Sequence, residues 1–394
     1  MTAPDCYLNA LGVLCAAGDS ASAVEASLRS GQPDLVRVDG YGAGRPLPLG
    51  MYRGELPALP LRQAVWQSRN NRFAYAALLQ IIDESRAAVE RYGADRVGVV
   101  VGTSTSGIAE SEAAVRAMVE QQNVAPDYRY EQQEMGACAQ FVAEVLGASG
   151  PVYGISTACS SGAKALAAAR RLLRAGLCDA VIAGGVDTLC HLTVMGFSSL
   201  EAVSERQCNP FSENRDGINI GEGAGLFLIS AEPVGVRLGG TGESSDAHHI
   251  SAPDPSGAGA IACMQAALDD AGVTAADIDY VNLHGTATPL NDEMESRALE
   301  RVCGLDTPCS STKPFTGHTL GAAGAVEAAI CWIALLADDG WLPAQVWDGA
   351  RDPALPRINL VEPGTRVAQG VRRMLSNSFA FGGNNISLLL ERAA

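Results

Sequence analysis

The sequence predicts an α/β fold made of two related halves. Three observations carry this. Short apolar runs ending in glycine alternate with Ala-rich amphipathic stretches. The motif "VVVGTST" (Val99–Thr105) returns as "VNLHGTAT" (Val281–Thr288). A polar, small-residue turn feeding an Ala-rich helix also occurs twice, as "STACSSGAKALAAARRLL" and as "TGHTLGAAGAVEAAICWIALL".

Taken in order, Val97–Val101 reads as a strand ending at Gly102, and Ala180–Ala183 as another ending at Gly184-Gly185. Asp279–Leu283 is a third. Their continuous apolar character fits strands covered on both faces. Helical periodicity fits Arg72–Tyr92, Ala163–Ala175, Gly259–Ala271 and Ala322–Ala337. "LSNSFAFGGNNISLLLER" closes the chain as an apolar strand pattern after a turn at Phe381-Gly382-Gly383-Asn384. The two glycines suggest a mobile flap there, with Phe379 and Phe381 in a core or lining an apolar channel. The best division lies around Glu232–Gly242, giving halves 1–235 and 236–394 packed as one unit.

A chain of 394 residues, 47% of them hydrophobic, can bury a large core. With 43 glycines and only 5% aromatics, that core is built from small aliphatic side chains. The net charge of −16 makes nucleic acid and anionic membrane poor partners. The eleven cysteines show no C-x-x-C pair. The opening "MTAPDCYLNALGVLCAAG" lacks the basic start of a signal peptide, and no apolar run reaches the length of a membrane span. A reduced, cytoplasmic compartment is expected. Lysine occurs only at Lys164 and Lys313 among 28 basic residues. A position that keeps Lys can need a compact ammonium where a guanidinium would not serve.

Cys159 sits where a β-prone stretch meets a helix. It is either a small residue filling a tight turn or a thiol activated by the helix N-terminus. In the second case its backbone N–H is also an oxyanion donor. Of five histidines, His284 follows an apolar strand and His318 lies in a Gly-rich loop before a helix, five residues after Lys313. Strand–helix junctions are where α/β folds place their sites. His248-His249 reads as a turn. No closely spaced Cys/His set predicts a metal, and neither a P-loop nor G-x-G-x-x-G follows an early strand.

"STACSSG", "NPFSENRDGINIGEGAG", "NLHGTATPLND", "TKPFTGHTLGAAGAVEA" and "NSFAFGGNN" together resemble the signature blocks of the β-ketoacyl-acyl-carrier-protein synthases. The blocks stand in that family's order between Ser156 and Asn385. The resemblance implies the thiolase fold, a five-layer αβαβα sandwich of two pseudo-repeated halves. It implies a decarboxylating condensing enzyme with Cys159 as the acyl-carrying nucleophile. His284 and His318 would bind the malonyl thioester and promote its decarboxylation. The N–H groups of Cys159 and Phe381 would form the oxyanion hole. Lys313 would tune the site, with Glu327 and Asp246 in support. Phe379, Phe381, Gly382 and Thr105 would shape or gate the acyl pocket. No cofactor is implied, because substrates ride on the phosphopantetheine arm of an acyl carrier protein. The expected assembly is a homodimer, or a heterodimer with a ketosynthase-like chain-length factor.

Two departures matter. Many relatives carry Arg directly before the Pro-Phe of "NPF", where it helps hold the carrier; here Asn209 stands there. Docking is then expected to rest on Arg62, Arg69, Arg72 or Arg129. The segment Arg129–Gly147 carries Gln132, Gln133 and Glu134 where fatty acid synthases are more apolar, and is expected near the pocket or dimer interface. The combination of "SRNNR", "GTSTSGIAESE" and "HGTATPLND" resembles ketosynthases of bacterial aryl polyene pathways. The competing expectations are housekeeping fatty acid elongation and a non-catalytic chain-length factor. Thiolases, starter-condensing synthases and Cys-His peptidases leave His318 or Lys313 unexplained.

Overall fold

The computed structural model describes residues 4–42, 44–123 and 128–393. The start of the opening segment (1–3) and residues 126–127 before Arg129 lie outside them. The strands are β1 (Tyr7–Cys15), β2 (Val36–Val38), β3 (Leu47–Leu49), β4 (Val97–Gly102), β5 (Val152–Ile155), β6 (Ala180–Asp187), β7 (Gly223–Ser230), β8 (Val236–Ser245), β9 (Tyr280–Asn282), β10 (Pro308–Ser310), β11 (Asn359–Leu360), β12 (Arg373–Ala380) and β13 (Asn384–Arg392). The helices are α1 (Ala21–Ser30), α2 (Arg69–Leu79), α3 (Ile82–Tyr92), α4 (Ile108–Gln121), α5 (Ala137–Leu146), α6 (Ser161–Arg174), α7 (His191–Ser199), α8 (Ala258–Ala271), α9 (Pro289–Cys303), α10 (Lys313–Thr316) and α11 (Ala323–Leu336).

The faint sequence repeat is a repeat of topology. The first half orders its strands β5-β4-β6-β7-β1, and the second orders them β10-β9-β12-β13-β8, with β11 outside β10. Numbered by chain position within each half, both orders are the same. The pairings match as well. β4 runs parallel to β5 and β6, as β9 does to β10 and β12; β6–β7–β1 and β12–β13–β8 are antiparallel. The half-sheets meet where Tyr7 pairs with Arg237 and Leu8 with Val236.

Five layers result. Helices α2 and α5 cover the outer face of the first half-sheet, and α8 with α9 cover that of the second. Helices α6 and α11 lie between the half-sheets and pack on each other. The approach of these two is close because each carries a glycine at the crossing. A Cβ on Gly162 would stand 2.9 Å from the Ala325 Cβ, and one on Gly324 would stand 2.7 Å from the Ala163 Cβ. These are the helices that start just after Cys159 and His318. Among the described residues no helix is long and apolar enough to cross a membrane.

One predicted element is corrected. Arg72–Tyr92 is two helices, α2 and α3, with the chain breaking at Gln80 and Ile81. The Gln80 amide bonds both backbone groups of Val13, accepting from its N–H and donating to its C=O. That cross-link to β1 outweighs helical continuity. Helix α2 also starts earlier than expected, because the Ser68 hydroxyl caps the N–H of Asn71.

Candidate active site

Cys159 lies in the turn between β5 and α6. Ala158 before it adopts φ +53°, a left-handed conformation that is strained for a residue with a Cβ. Ser161 holds this turn, its hydroxyl donating to the Ala158 carbonyl (2.6 Å) and accepting from the Thr157 N–H (2.8 Å). The thiol is buried, and His318 Nε2 stands 3.1 Å from its Sγ. The Leu320 N–H donates to His318 Nδ1 (3.2 Å), which leaves the ring proton on Nε2. His318 therefore presents an N–H to the sulfur.

His284 follows β9. Its own N–H and that of Gly285 both donate to the Glu295 carboxylate on α9, each at 2.7 Å. The Lys313 ammonium lies 3.3 Å from His284 Nδ1 and bonds the His284 carbonyl and Glu327. An ammonium only donates, so Nδ1 accepts and the proton of His284 also sits on Nε2. The two imidazoles meet edge to face with centroids 5.3 Å apart.

Burial and the Lys313 charge hold both histidines well below their ordinary pKa, so both are neutral at pH 7. Glu327 is pushed up to about 7 by burial, against the lowering effect of Lys313. Burial also pushes the Cys159 thiol up to about 11, outweighing Lys313 and the N–H groups of Phe381 and Cys159 that favour the anion. At rest the helix N-terminus therefore does not hold Cys159 as a thiolate. Cys159 lies ahead of the helix start and enclosed from water, so desolvation wins over the helix terminus.

Cys159 Sγ and one nitrogen from each histidine lie within 4.8 Å of one another. Spacing along the chain hid this three-donor set, which the fold assembles from segments far apart. What opposes a metal ion is the buried Lys313 ammonium against the His284 ring.

The three side chains open into a cavity of about 290 Å³ that Phe197, Phe379, Phe381, Thr286 and Asp246 also line. Phe381 packs on Phe197 with centroids 5.4 Å apart. The turn after it takes left-handed φ at Gly382 (+83°) and Gly383 (+72°). It is tied at both glycines: the Gly382 N–H donates to the Ile250 carbonyl (2.8 Å), and the Gly383 carbonyl accepts from the Asp246 N–H (2.9 Å). The Asp246 carboxylate accepts from the Asn385 amide (2.6 Å). Asp246 thus anchors the Phe381 turn.

Several expected residues lie elsewhere. Thr105 does not line this cavity, because its hydroxyl and N–H are bound to Asp187. Arg69 is engaged within the fold. Its guanidinium pairs with the fully buried Glu222, with Nε at 2.9 Å, and lies over Phe73. Arg129 donates to the Tyr128 carbonyl. Arg62 and Arg72 are exposed. Gln132 is buried and bonds the Ala64 and Gln67 carbonyls, away from the cavity. Sequence reasoning missed Glu295 and Asp187. The available signal for Asp187 was an acid ending the run "AVIAGGVD", where only internal donors can satisfy it.

Residues 54–233 match the family Beta-ketoacyl synthase, N-terminal domain, and residues 236–346 match Beta-ketoacyl synthase, C-terminal domain. A 3-oxoacyl-[acyl-carrier-protein] synthase 2 of Staphylococcus aureus (strain COL) is 33% identical over 350 residues, 84% of this chain and 83% of the relative. Its counterpart in Rhizobium meliloti (strain 1021) is 41% identical over 263 residues, 62% of this chain and 61% of the relative. Among solved structures, a ketosynthase (ApeO) in complex with its chain length factor (ApeC) from Xenorhabdus doucetiae is 45% identical. It superposes with a TM-score of 0.94 over 99% of this chain and 98% of its own. A beta-ketoacyl synthase from Burkholderia phymatum STM815 is 29% identical with a TM-score of 0.89, over 99% of this chain and all of its own. The two matched segments follow one another along the chain, and the full-length likeness spans both. The chain belongs to the beta-ketoacyl synthase family of condensing enzymes.

Proposed function

We propose that this enzyme takes an acyl chain from an acyl carrier protein onto Cys159 and extends it with malonyl-carrier by decarboxylative Claisen condensation. The supporting observation is that His318 Nε2 stands 3.1 Å from Cys159 Sγ and that a ring nitrogen of the neutral His284 lies within 4.8 Å of both, in one cavity. In the first step Cys159 Sγ attacks the acyl thioester carbonyl. The N–H groups of Cys159 and Phe381 receive the developing oxyanion, and the thiol proton ends on the departing phosphopantetheine sulfur. His318 Nε2–H and the Lys313 charge stabilise the transient thiolate.

In the second step His284 and His318 donate to the malonyl thioester oxygen. The carboxylate leaves as carbon dioxide, and its bonding electrons form an enolate. The enolate carbon attacks the acyl-Cys159 carbonyl, and the C–S bond breaks to return a thiolate. The malonyl negative charge is thereby transferred to sulfur, and no base is consumed. Asp246 holds the Phe381 turn that gates access, and Phe379 walls the pocket. Halves 1–235 and 236–394 act as one unit, since the nucleophile comes from one and both histidines from the other.

The chain extended is a polyene of the aryl polyene type, and the working assembly pairs this chain with a chain-length-factor-like paralogue. The 45% likeness to a ketosynthase solved with its chain length factor supports the pairing, and the polyene reading rests on the resemblance of "SRNNR", "GTSTSGIAESE" and "HGTATPLND". Arg62 and Arg72 are the candidates for receiving the carrier. The test is intact-mass analysis after mixing with carriers loaded with saturated or aryl-polyenoyl chains, with and without the paralogue. Acylation of Cys159 by the polyenoyl carrier is expected. Acylation by saturated chains alone would return the enzyme to fatty acid elongation, and none under any condition would overturn the catalytic reading.

A further inference from the structure

Asp187 ends β6 as the only acid in a strand buried along its whole length. Its carboxylate accepts from the hydroxyls of Thr103 (2.6 Å) and Thr105 (2.8 Å) and from the N–H groups of Ser104 and Thr105 (2.9 Å each). All of these lie in the loop after β4. From the other half of the molecule it accepts the Gly321 N–H at 2.6 Å. No basic side chain pairs with it among the described residues; five donor groups hold the charge instead.

Each segment that Asp187 binds leads on to a reacting group. The Ser104 hydroxyl donates to the carbonyl of Ala158, the strained residue before Cys159 (3.3 Å). The Leu320 N–H, one peptide before Gly321, donates to His318 Nδ1 and sets its tautomer. The second half has a counterpart in Glu295, which binds the N–H groups of His284 and Gly285 after β9. The equivalent loops of the two halves are thus each gathered by a buried carboxylate, one from a strand end and one from a helix. The Asp187 network spans both halves at the loop before the nucleophile, beside the backbone bonds that join His318 to Asn219 and Gly221.

We propose that Asp187 is a positioning residue that keeps Cys159 Sγ and His318 Nε2 in register across the boundary between the halves. It touches neither group. A displacement of about 1 Å between reacting groups costs on the order of a hundredfold in rate, so a shared anchor has a measurable effect.

The test is Asp187→Asn, read by iodoacetamide alkylation of the Cys159 peptide at pH 8, followed by mass spectrometry. Loss of a buried negative charge alone would favour the thiolate and speed alkylation. Loss of register pulls the His318 N–H from the sulfur and slows it, by about tenfold or more on the same scale. An equal or faster rate in folded Asp187→Asn overturns the proposal. If that variant does not fold, Ser104→Ala removes only the hydroxyl link to Ala158, and it is expected to slow alkylation about threefold. An unchanged rate there overturns the proposal.

With substrates, kcat per titrated Cys159 falls while KM for both carriers stays unchanged; this second readout rests on the synthase reading, whereas alkylation does not. If the carrier acylates wild type and Asp187→Asn alkylates like wild type, this inference fails and the synthase reading stands.

Discussion

Replacing Lys313 by Met removes the charge on which the His284 side of the site depends, and leaves a side chain of similar length. Lys313 is 1% exposed and its partner Glu327 is 2% exposed. Stripping one partner from a buried pair costs about 3–5 kcal/mol where the other stays charged, and less where, as here, the carboxyl takes up a proton instead. Glu327 already sits at about 7 with the ammonium present, so without it the carboxyl stays protonated through neutral pH. His284 loses the donor to Nδ1, and its Nε2–H is no longer enforced. A hydrogen bond involving a charged group contributes about 1.5–3 kcal/mol, which predicts a loss of about 10- to 150-fold in decarboxylation.

The assay is carbon dioxide release from malonyl-carrier in a Cys159→Gln background, where the amide imitates the acylated thiol and condensation is absent. Stability is followed in parallel by urea unfolding. Adding Glu327→Gln to Lys313→Met removes the orphaned carboxyl, so stability recovers while decarboxylation does not. Decarboxylation within threefold of the parent, or its recovery in the double variant, would refute the assignment of the ammonium to the chemistry.

The neutral histidines make a second expectation. In Cys159→Gln/Glu327→Gln, decarboxylation stays level from pH 6 to 8, since neither depressed imidazole titrates there; a midpoint near 6.5 would sink the neutral-donor assignment. The same depressed values cost stability as pH falls below 6.5, because the unfolded histidines take up protons that the folded ones refuse. The raised Glu327 and Glu295 act in the opposite sense, destabilising as pH rises from 4.5 toward 7. Gly383→Ala places a Cβ 2.8 Å from the Asp246 Cβ at φ +72°. It is expected to cost about 1–2 kcal/mol in urea unfolding and to slow acyl transfer through Phe381, with decarboxylation kept; equal loss of both half-reactions would remove the gate turn from acyl transfer.

The site was legible where chemistry-bearing side chains stand in small-residue loops at strand–helix junctions. Cys159, His284, His318 and Lys313 all have that setting, and the repeat in the strands before them foretold the duplicated topology. Hidden were contacts whose partners are remote in sequence. Nothing near Arg69 announces Glu222, 153 positions away, so an apparently free cation is half of an ion pair within the fold. Nothing near Thr105 announces that Asp187 claims its hydroxyl. The break at Gln80 depends on Val13 in another strand, and periodicity alone carries the helix straight through it. The protonation state of Cys159 depends on enclosure, which no local motif encodes.

The crossing of α6 and α11 has a consequence for how the enzyme can vary. The helices that begin beside the nucleophile and beside His318 touch through Gly162, Ala163, Gly324 and Ala325. Their spacing is metered by hydrogen atoms where other helices carry side chains. Such a gauge has almost no adjustment: one methyl group at Gly162 or Gly324 is a spacer driven between the two halves, and it would separate thiol from imidazole without altering any group that reacts. Loops around the mouth can drift to suit new chains and carriers, while the interior keeps its calibration through residues that make no chemistry at all.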